Sequence, residues 1–326
     1  MKALLALSLV LCLNRIVVAA EVSSPADGDR AQPSTSPPAA AKFAVVGYLP
    51  YYQTKTFDPS IGKYLTDLIY FSIEPTEAGD LNHRDISPDL IAQLHKMREQ
   101  HHTRIEIAVG GWGRAKAMGA VSLDREKRQR FVEQLTKYCD DNKFDGVDFD
   151  WEFPRGQKET AAFAELLADC KGAIGPHGRL LTIAVSPEQQ LPPAAIQAVD
   201  RVHLMSYDHG GPEHSTLAQA EADIKQVLSR GVPTSKLLLG VPFYGRRPKG
   251  SPTQMPYAKI VARYHPAARV DIVEGQYYFN GLDTIRAKTR LAKSQQLGGI
   301  MFWDIGQDTR DESSLLRAID DEAAKK

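Results

Sequence analysis

Residues 144–154 read Phe-Asp-Gly-Val-Asp-Phe-Asp-Trp-Glu-Phe-Pro, a stretch whose residue types and spacing could move protons. In a β-strand successive side chains alternate faces, so Gly146, Asp148, Asp150 and Glu152 share one face while Val147, Phe149, Trp151 and Phe153 share the other. Neighbouring carboxylates then lie about 7 Å apart along the strand. Like charges that close do not ionise independently, so at least one of the three pKa values is expected to rise. A carboxylic acid held neutral beside an ionised one can protonate a leaving group at neutral pH. The alternatives are a solvated acidic edge strand or a calcium loop. A calcium loop needs its glycine after the acids, whereas Gly146 precedes Asp148, Asp150 and Glu152. The large apolar residues on the opposite face favour a buried, functional strand over a solvated edge.

Around this stretch the chain alternates short β-rich runs with helical ones. Strands are expected at 43–49, 68–73, 104–109, within the acidic stretch, and at 180–185, 201–207, 237–243 and 299–302. Helices are expected at 88–100, 125–142, 158–174, 192–199, 217–229, 284–296 and 312–324. Ser87 caps the first, where Leu90, Ile91, Leu94 and Met97 form one face; Phe131, Leu135 and Tyr138 form the stripe of the second. Ser215 or Thr216 caps the helix at 217–229, and Gly231 with Pro233 stops it. The segment 244–282 is less regular, with a small hairpin expected at 270–279.

Eight strands interleaved with helices fit a (β/α)8 TIM barrel, a fold of roughly 250 residues. A doubly wound open sheet is the other candidate, but no G-x-G-x-x-G or Walker sequence follows an early strand. In a barrel, functional residues gather at the C-terminal ends of the strands. Here those ends carry Tyr48, Glu74, Gly110-Gly111-Trp112, Asp150 with Glu152, Tyr207 with Asp208, Tyr244 with Arg246, and Trp303 with Asp304.

At 326 residues and 43% hydrophobic content the chain can bury a large core, and Lys+Arg and Asp+Glu balance at 40 each. No basic field argues for nucleic acid or an anionic membrane, whereas a neutral partner such as uncharged carbohydrate is compatible. Residues 1–20 read as a signal peptide: Lys2, an apolar run over 3–13, and Val18-Ala19-Ala20 before Glu21. Asn14 and Arg15 interrupt the run, so no spanning helix is expected, and Leu11 before Cys12 does not suit a lipid anchor. A secreted protein, extracellular or periplasmic, with no membrane association after cleavage, follows. Residues 21–41, rich in Pro, Ser, Ala and Asp, are expected to be a disordered linker, with the barrel over 42–326. Export permits a disulfide between Cys139 and Cys170, but two buried free thiols are the favoured reading. No Cys/His spacing suggests a metal site, no cofactor is expected, and a monomer is expected.

The chain resembles glycoside hydrolase family 18, the chitinase family. DGVDFDWE at 145–152 matches the family pattern DGxDxDxE; VGGWG at 109–113, MSYD at 205–208, GVPFYGR at 240–246 and GGIMFWDIGQD at 298–308 follow in the family's order, covering 42–308. The resemblance implies a retaining glycosidase in which the 2-acetamido group of the substrate, not an enzyme carboxylate, attacks the anomeric carbon. Glu152 would be the acid and then the base, Asp150 would bind the acetamido N–H and stabilise the oxazolinium, and Asp148 would exchange a proton or charge with Asp150. Tyr207 would hold the acetamido oxygen in line, an orientation effect. Trp303 would floor the reacting sugar and Trp112 would form a leaving-group platform. Tyr48, Phe71, Met205, Asp208, Tyr244 and Arg246 would line the cleft, although each could instead be plain barrel core or loop.

Two departures from the family follow. Ala108 stands where the family commonly has a Ser that hydrogen-bonds the residue equivalent to Asp148, which predicts lowered activity or a shifted pH profile. Residues 247–297 are too few for a large α+β insertion between strands seven and eight, so a shallow groove suited to endo cleavage or short substrates is expected. The implied partner is chitin or another N-acetylglucosamine-containing oligosaccharide. Other readings are an endo-β-N-acetylglucosaminidase, a peptidoglycan hydrolase, or a non-catalytic chitin-binding lectin. The acid at Glu152 argues against the lectin, and Tyr207 favours the chitinase type.

Overall fold

The computed structural model describes residues 42–83, 86–211, 213–247, 253–273 and 277–325. The leader and linker expected over 1–41 lie outside the described residues. Eight parallel strands form the barrel: β1 Ala44–Pro50, β2 Asp67–Pro75, β3 Arg104–Gly110, β4 Gly146–Asp150, β5 Leu180–Val185, β6 Arg201–Leu204, β7 Leu237–Pro242 and β8 Gly299–Trp303. Each pairs with the next, and β8 returns to β1, so the sheet closes into a (β/α)8 TIM barrel.

Two hydrophobic layers follow from the period of two. Residues facing the helices, such as Val45, Leu68, Ile105, Ile107, Val147, Phe149, Ile300 and Phe302, build the large outer core. Their strand neighbours Ala44, Val46, Tyr48, Ile69, Phe71, Ala108, Leu238 and Met301 fill the barrel interior, with Met205, Tyr207 and Trp303 packed against them. Phe149 is fully buried, with its ring 6.2 Å from Phe163 across the β4–helix interface. Truncating a ring enclosed on every side loses its transfer energy and leaves a cavity. Phe149→Ala is therefore expected to cost about 3–5 kcal/mol in a denaturant titration.

Nine α-helices are described: α1 Pro88–His101, α2 Met118–Leu123, α3 Arg125–Asn142, α4 Gly156–Ile174, α5 Pro193–Ala198, α6 Leu217–Ser229, α7 Tyr257–Tyr264, α8 Leu282–Ser294 and α9 Leu315–Ala324. Ser87 caps α1 by accepting from Leu90 N, and Thr216 rather than Ser215 caps α6, in a capping box with Gln219. In α3, Phe131, Val132, Leu135 and Cys139 face inward, while Tyr138 is half-buried and stacks on His83. Helices α2 and α7 were not anticipated. The first is only one and a half turns long, and the second lies in the segment read as less regular. That segment holds a compact module: Tyr244–Arg246, Gln254–Pro256, Ile272–Val273 and Tyr277–Tyr278 form a four-stranded antiparallel sheet beside α7. The hairpin expected at 270–279 is part of it.

Cys139 and Cys170 are both buried free thiols rather than a disulfide. Burial pushes the Cys139 thiol up to about 12 and that of Cys170 well above its ordinary value, as expected for inert packing residues. At the floor of the barrel Asp67 is fully buried. Burial would raise its pKa, but Arg201 at 3.1 Å and Arg104 at 2.5 Å outweigh that and hold it low. Glu106, on the adjacent strand, goes the other way: burial and the Asp67 charge push it well above the carboxylate range.

Candidate active site

The C-terminal ends of the strands surround a cleft of about 980 Å³. Its lining includes Asp150, Glu152, Tyr207 and all eight residues expected to contact substrate: Trp303, Trp112, Tyr48, Phe71, Met205, Asp208, Tyr244 and Arg246. Asp148 is not part of the lining; it is fully buried one step below Asp150. A smaller cavity of about 220 Å³, between Leu49, Tyr64, Phe302 and Arg317, contains none of these residues.

Strand β4 delivers the carboxylates as its alternation requires, with Asp148 and Asp150 pointing inward and Val147 and Phe149 outward. Trp151 continues the outer face, its ring 5.3 Å from Phe163. The expected alternation ends there. The strand stops at Asp150, and Phe153 does not join the outer core but stands 40% exposed in the cleft lining. The neighbouring double glycine has a steric reason. Gly110 and Gly111 both adopt positive φ, where a side chain is strained. A Cβ on Gly110 would strike the Asp150 carbonyl, and one on Gly111 would enter the Phe71 ring. Gly111 N donates to Asp150 O at 2.6 Å, which ties the end of β3 to the acidic strand and places Trp112 beside Glu152.

Burial raises the Glu152 pKa to about 7, and the Asp208 charge adds to that; a hydrogen bond from the Trp112 backbone N–H works against both. Asp150 is pushed well above the carboxylate range by burial, then by Glu152 and Asp148. Among the described residues its Oδ1 has no hydrogen-bond partner. Asp208 behaves differently. Burial would raise it, but His214, Tyr244 at 2.7 Å and Arg246 at 3.1 Å together hold it low, so the cleft keeps one anion on that wall. Tyr207 is pushed well above its ordinary value by burial and by Asp150, and so stays a neutral hydroxyl donor. The site therefore joins a neutral acid, an ionised wall and neutral phenols in one cleft, the division of labour that general acid catalysis needs.

The floor is aromatic. Trp303 packs edge-on against Phe71 at 4.6 Å and lies 5.7 Å from Tyr48, which leaves its face towards the cleft half-exposed. Trp112 is 79% exposed, which rules out a core role and leaves a free indole face at the rim. Tyr51 and Tyr52, in a 3-10 turn directly after β1, also line the cleft, and Arg114 covers the Tyr51 ring at 5.0 Å. Sequence reasoning missed these two tyrosines, although, among the described residues, four of the five exposed large apolar side chains (Tyr51, Tyr52, Trp112 and Phe153) lie at this mouth.

Near Ala108 the contacts to Asp148 come from other groups. Ala108 does sit in register with Asp148, and it has no donor to offer. Asp148 instead accepts from Tyr48 at 2.9 Å and from Thr182 at 2.5 Å, with His203 Nδ1 3.3 Å away. Tyr48 is thus a support for Asp148 as well as a lining residue.

The model of the family described as glycosyl hydrolases family 18 matches residues 44–308. Chitotriosidase-1 of Mus musculus is 28% identical over 269 residues, covering 62% of this chain and 58% of that protein. Chitinase A1 of Niallia circulans is 26% identical over 312 residues, covering 72% of this chain and 44% of that protein. The chain spans about half the length of such curated relatives. A crystal structure of a family 18 chitinase from the chitin utilization locus of Flavobacterium johnsoniae superimposes with a TM-score of 0.77 at 27% identity, covering 87% of this chain and 94% of that one.

Proposed function

As the chain belongs to the glycosyl hydrolases family 18, we propose that it is a chitinase-type hydrolase of β-1,4-linked N-acetylglucosamine polymers that works by a retaining, substrate-assisted route. The observation that carries this reading is Glu152, a carboxyl raised to about 7 at the rim of a large aromatic cleft, directly after two buried aspartates on the same strand.

The roles follow from the surroundings. Glu152, neutral at rest, gives its proton to the glycosidic oxygen and then takes one from water. The substrate acetamido oxygen attacks the anomeric carbon, and Tyr207, a neutral phenol, aligns it. Asp150 offers a free oxygen to the acetamido N–H and, by losing its proton towards Asp148, becomes the anion that faces the oxazolinium. Trp303 supports the reacting sugar and Trp112 the leaving side; uncharged sugar rings suit such faces. Asp208, Tyr244 and Arg246 form a polar wall that fixes sugar hydroxyls. Every one of these groups comes from a single chain, so a monomer suffices. The leader sequence supports secretion.

The test is a product analysis with fully acetylated chitohexaose and its fully deacetylated counterpart. Shorter oligomers from the first, appearing initially as the β-anomer, with no cleavage of the second, are expected. Equal cleavage of both removes the acetamido from the mechanism. Release of N-glycans without cleavage of either oligomer moves the substrate, and binding without any cleavage removes the hydrolase.

A further inference from the structure

The segment after β6 carries a histidine whose two ring nitrogens both meet acceptors. His209 Nε2 lies 3.0 Å from Asp223 Oδ2 on α6, and Nδ1 lies 3.1 Å from the His214 carbonyl oxygen. A neutral imidazole has one hydrogen and would turn a lone pair towards one of these oxygens, whereas an imidazolium donates to both. Asp223 is buried and also accepts from Ser206 Oγ at 2.5 Å. The hydrogen bond to Asp223 raises the His209 pKa above its ordinary value. Burial opposes that, and the His214 carbonyl and the charges of Asp223 and Glu188 add to it.

What the ring holds is one wall of the cleft. The His214 carbonyl also accepts from His209 N at 3.2 Å, so His209 grips it twice. The His214 ring stacks on Tyr244 at 5.3 Å, and its Nδ1 lies 3.4 Å from Asp208 Oδ1. Asp208 has a φ of +61°, a left-handed backbone that a non-glycine residue keeps only where its surroundings fix it. On the far side of His214 the buried Lys288 of α8 donates to Ser215 O at 2.8 Å, Ser215 Oγ at 2.7 Å and Asn280 Oδ1 at 2.8 Å.

We propose that His209, as an imidazolium bridging Asp223 and the His214 carbonyl, is a positioning residue that holds Asp208, Tyr244 and Arg246 in their wall, and that the wall loosens when the ring loses its proton. His209 lines the cleft as well, but both ring nitrogens are engaged within the protein. Because its folded pKa is raised, the contribution is complete below the ordinary value of about 6.5 and disappears as pH rises through the raised one. The titratable and charged groups facing the ring are Asp223 from α6, Glu188 from the turn after β5, and His214 from its own segment. Behind His214 stand Asp208, Tyr244 and Arg246 from the wall and Lys288 from α8. Burial lowers the His214 pKa, so that ring is an uncharged plate against Tyr244. Burial also lowers Lys288 to about 7, which makes it the competing titration.

The kinetic test rests on the chitinase reading; the spectroscopic one does not. With acetylated chitohexaose, KM of the wild type is expected to rise about threefold to tenfold between pH 6 and 9, the worth of one hydrogen bond to the sugar. His209→Asn is expected to show the raised KM already at pH 6, with kcat there within about threefold and no further rise in KM. His209→Arg keeps a planar cation that donates to both oxygens at every pH, so its KM is expected to stay low up to pH 9. A KM–pH curve of His209→Asn that superimposes on that of the wild type overturns the proposal. A rise that persists in His209→Arg assigns it to Lys288 and overturns the proposal too. Without substrate, the imidazole 15N shifts of His209 are followed from pH 5 to 9. The midpoint is expected above about 6.5 in the wild type, and lower by about one pH unit or more in Asp223→Asn. The Arg246 Nε–H resonance is expected to shift with the same midpoint as the ring. Equal midpoints in the two proteins, or an Arg246 resonance that does not follow, overturn the proposal. If ring and Arg246 titrate together but acetylated oligomers stay uncut, the positioning role stands and the substrate assignment falls.

Discussion

Glu152→Gln is expected to lower turnover of acetylated chitohexaose by roughly 10²–10⁴-fold, the usual worth of a positioned general acid. KM should stay within about threefold, because an amide fills the same volume and can still accept the Trp112 N–H, so ground-state binding is kept while proton transfer is lost. The pH profile of the unaltered protein checks the same group. Glu152 works as an acid, so its useful form is complete below its pKa of about 7 and disappears as pH rises through that value. The alkaline limb of kcat/KM is therefore expected near pH 7. Its position depends on burial first and on Asp208 second. Asp208→Asn removes that anion, so the limb should move to lower pH. An alkaline limb that stays in place in Asp208→Asn would falsify the electrostatic account of Glu152 while leaving its identity as the acid intact.

The acidic strand was legible because its chemistry and its periodicity are local. Five residues of alternating pattern suffice to put Asp148 and Asp150 inside and Val147 and Phe149 outside. The motifs after β3, β6, β7 and β8 were legible for the same reason, since each delivers its side chain from a strand end. Thr182 and His203 were not. Their contacts with Asp148 come from β5 and β6, 34 and 55 positions along the chain, and exist only through barrel register. A lone histidine in an apolar strand reads as core until the position of its Nδ1 is known. Tyr51, Tyr52 and Phe153 escaped for a different reason: they sit in a 3-10 turn and in the bend after β4, where no period tells which way a ring points. The compact sheet after β7 has strands of two and three residues, too short for any pattern to show.

Asp150→Asn separates two roles that a carboxyl at this place could have. Oδ1 has no hydrogen-bond partner among the described residues, so a donor on the substrate is its natural occupant. Burial first, then the neighbouring carboxyls of Glu152 and Asp148, push the Asp150 pKa well above the carboxylate range, so Asp150 is neutral at rest. A neutral acid and an amide present the same carbonyl oxygen to an acetamido N–H, so binding should survive the substitution. What asparagine cannot do is become an anion as positive charge develops on the oxazolinium. In a closed, low-dielectric site such a charge match is a transition-state effect worth roughly 10²–10³-fold in kcat. The expected result is therefore a large fall in kcat with KM little changed. Asp150→Ala, which loses the acceptor as well, should raise KM in addition. If Asp150→Asn raised KM as much as Asp150→Ala while kcat held, Asp150 would be a binding group only, and the charge facing the oxazolinium would have to come from Asp148 below it.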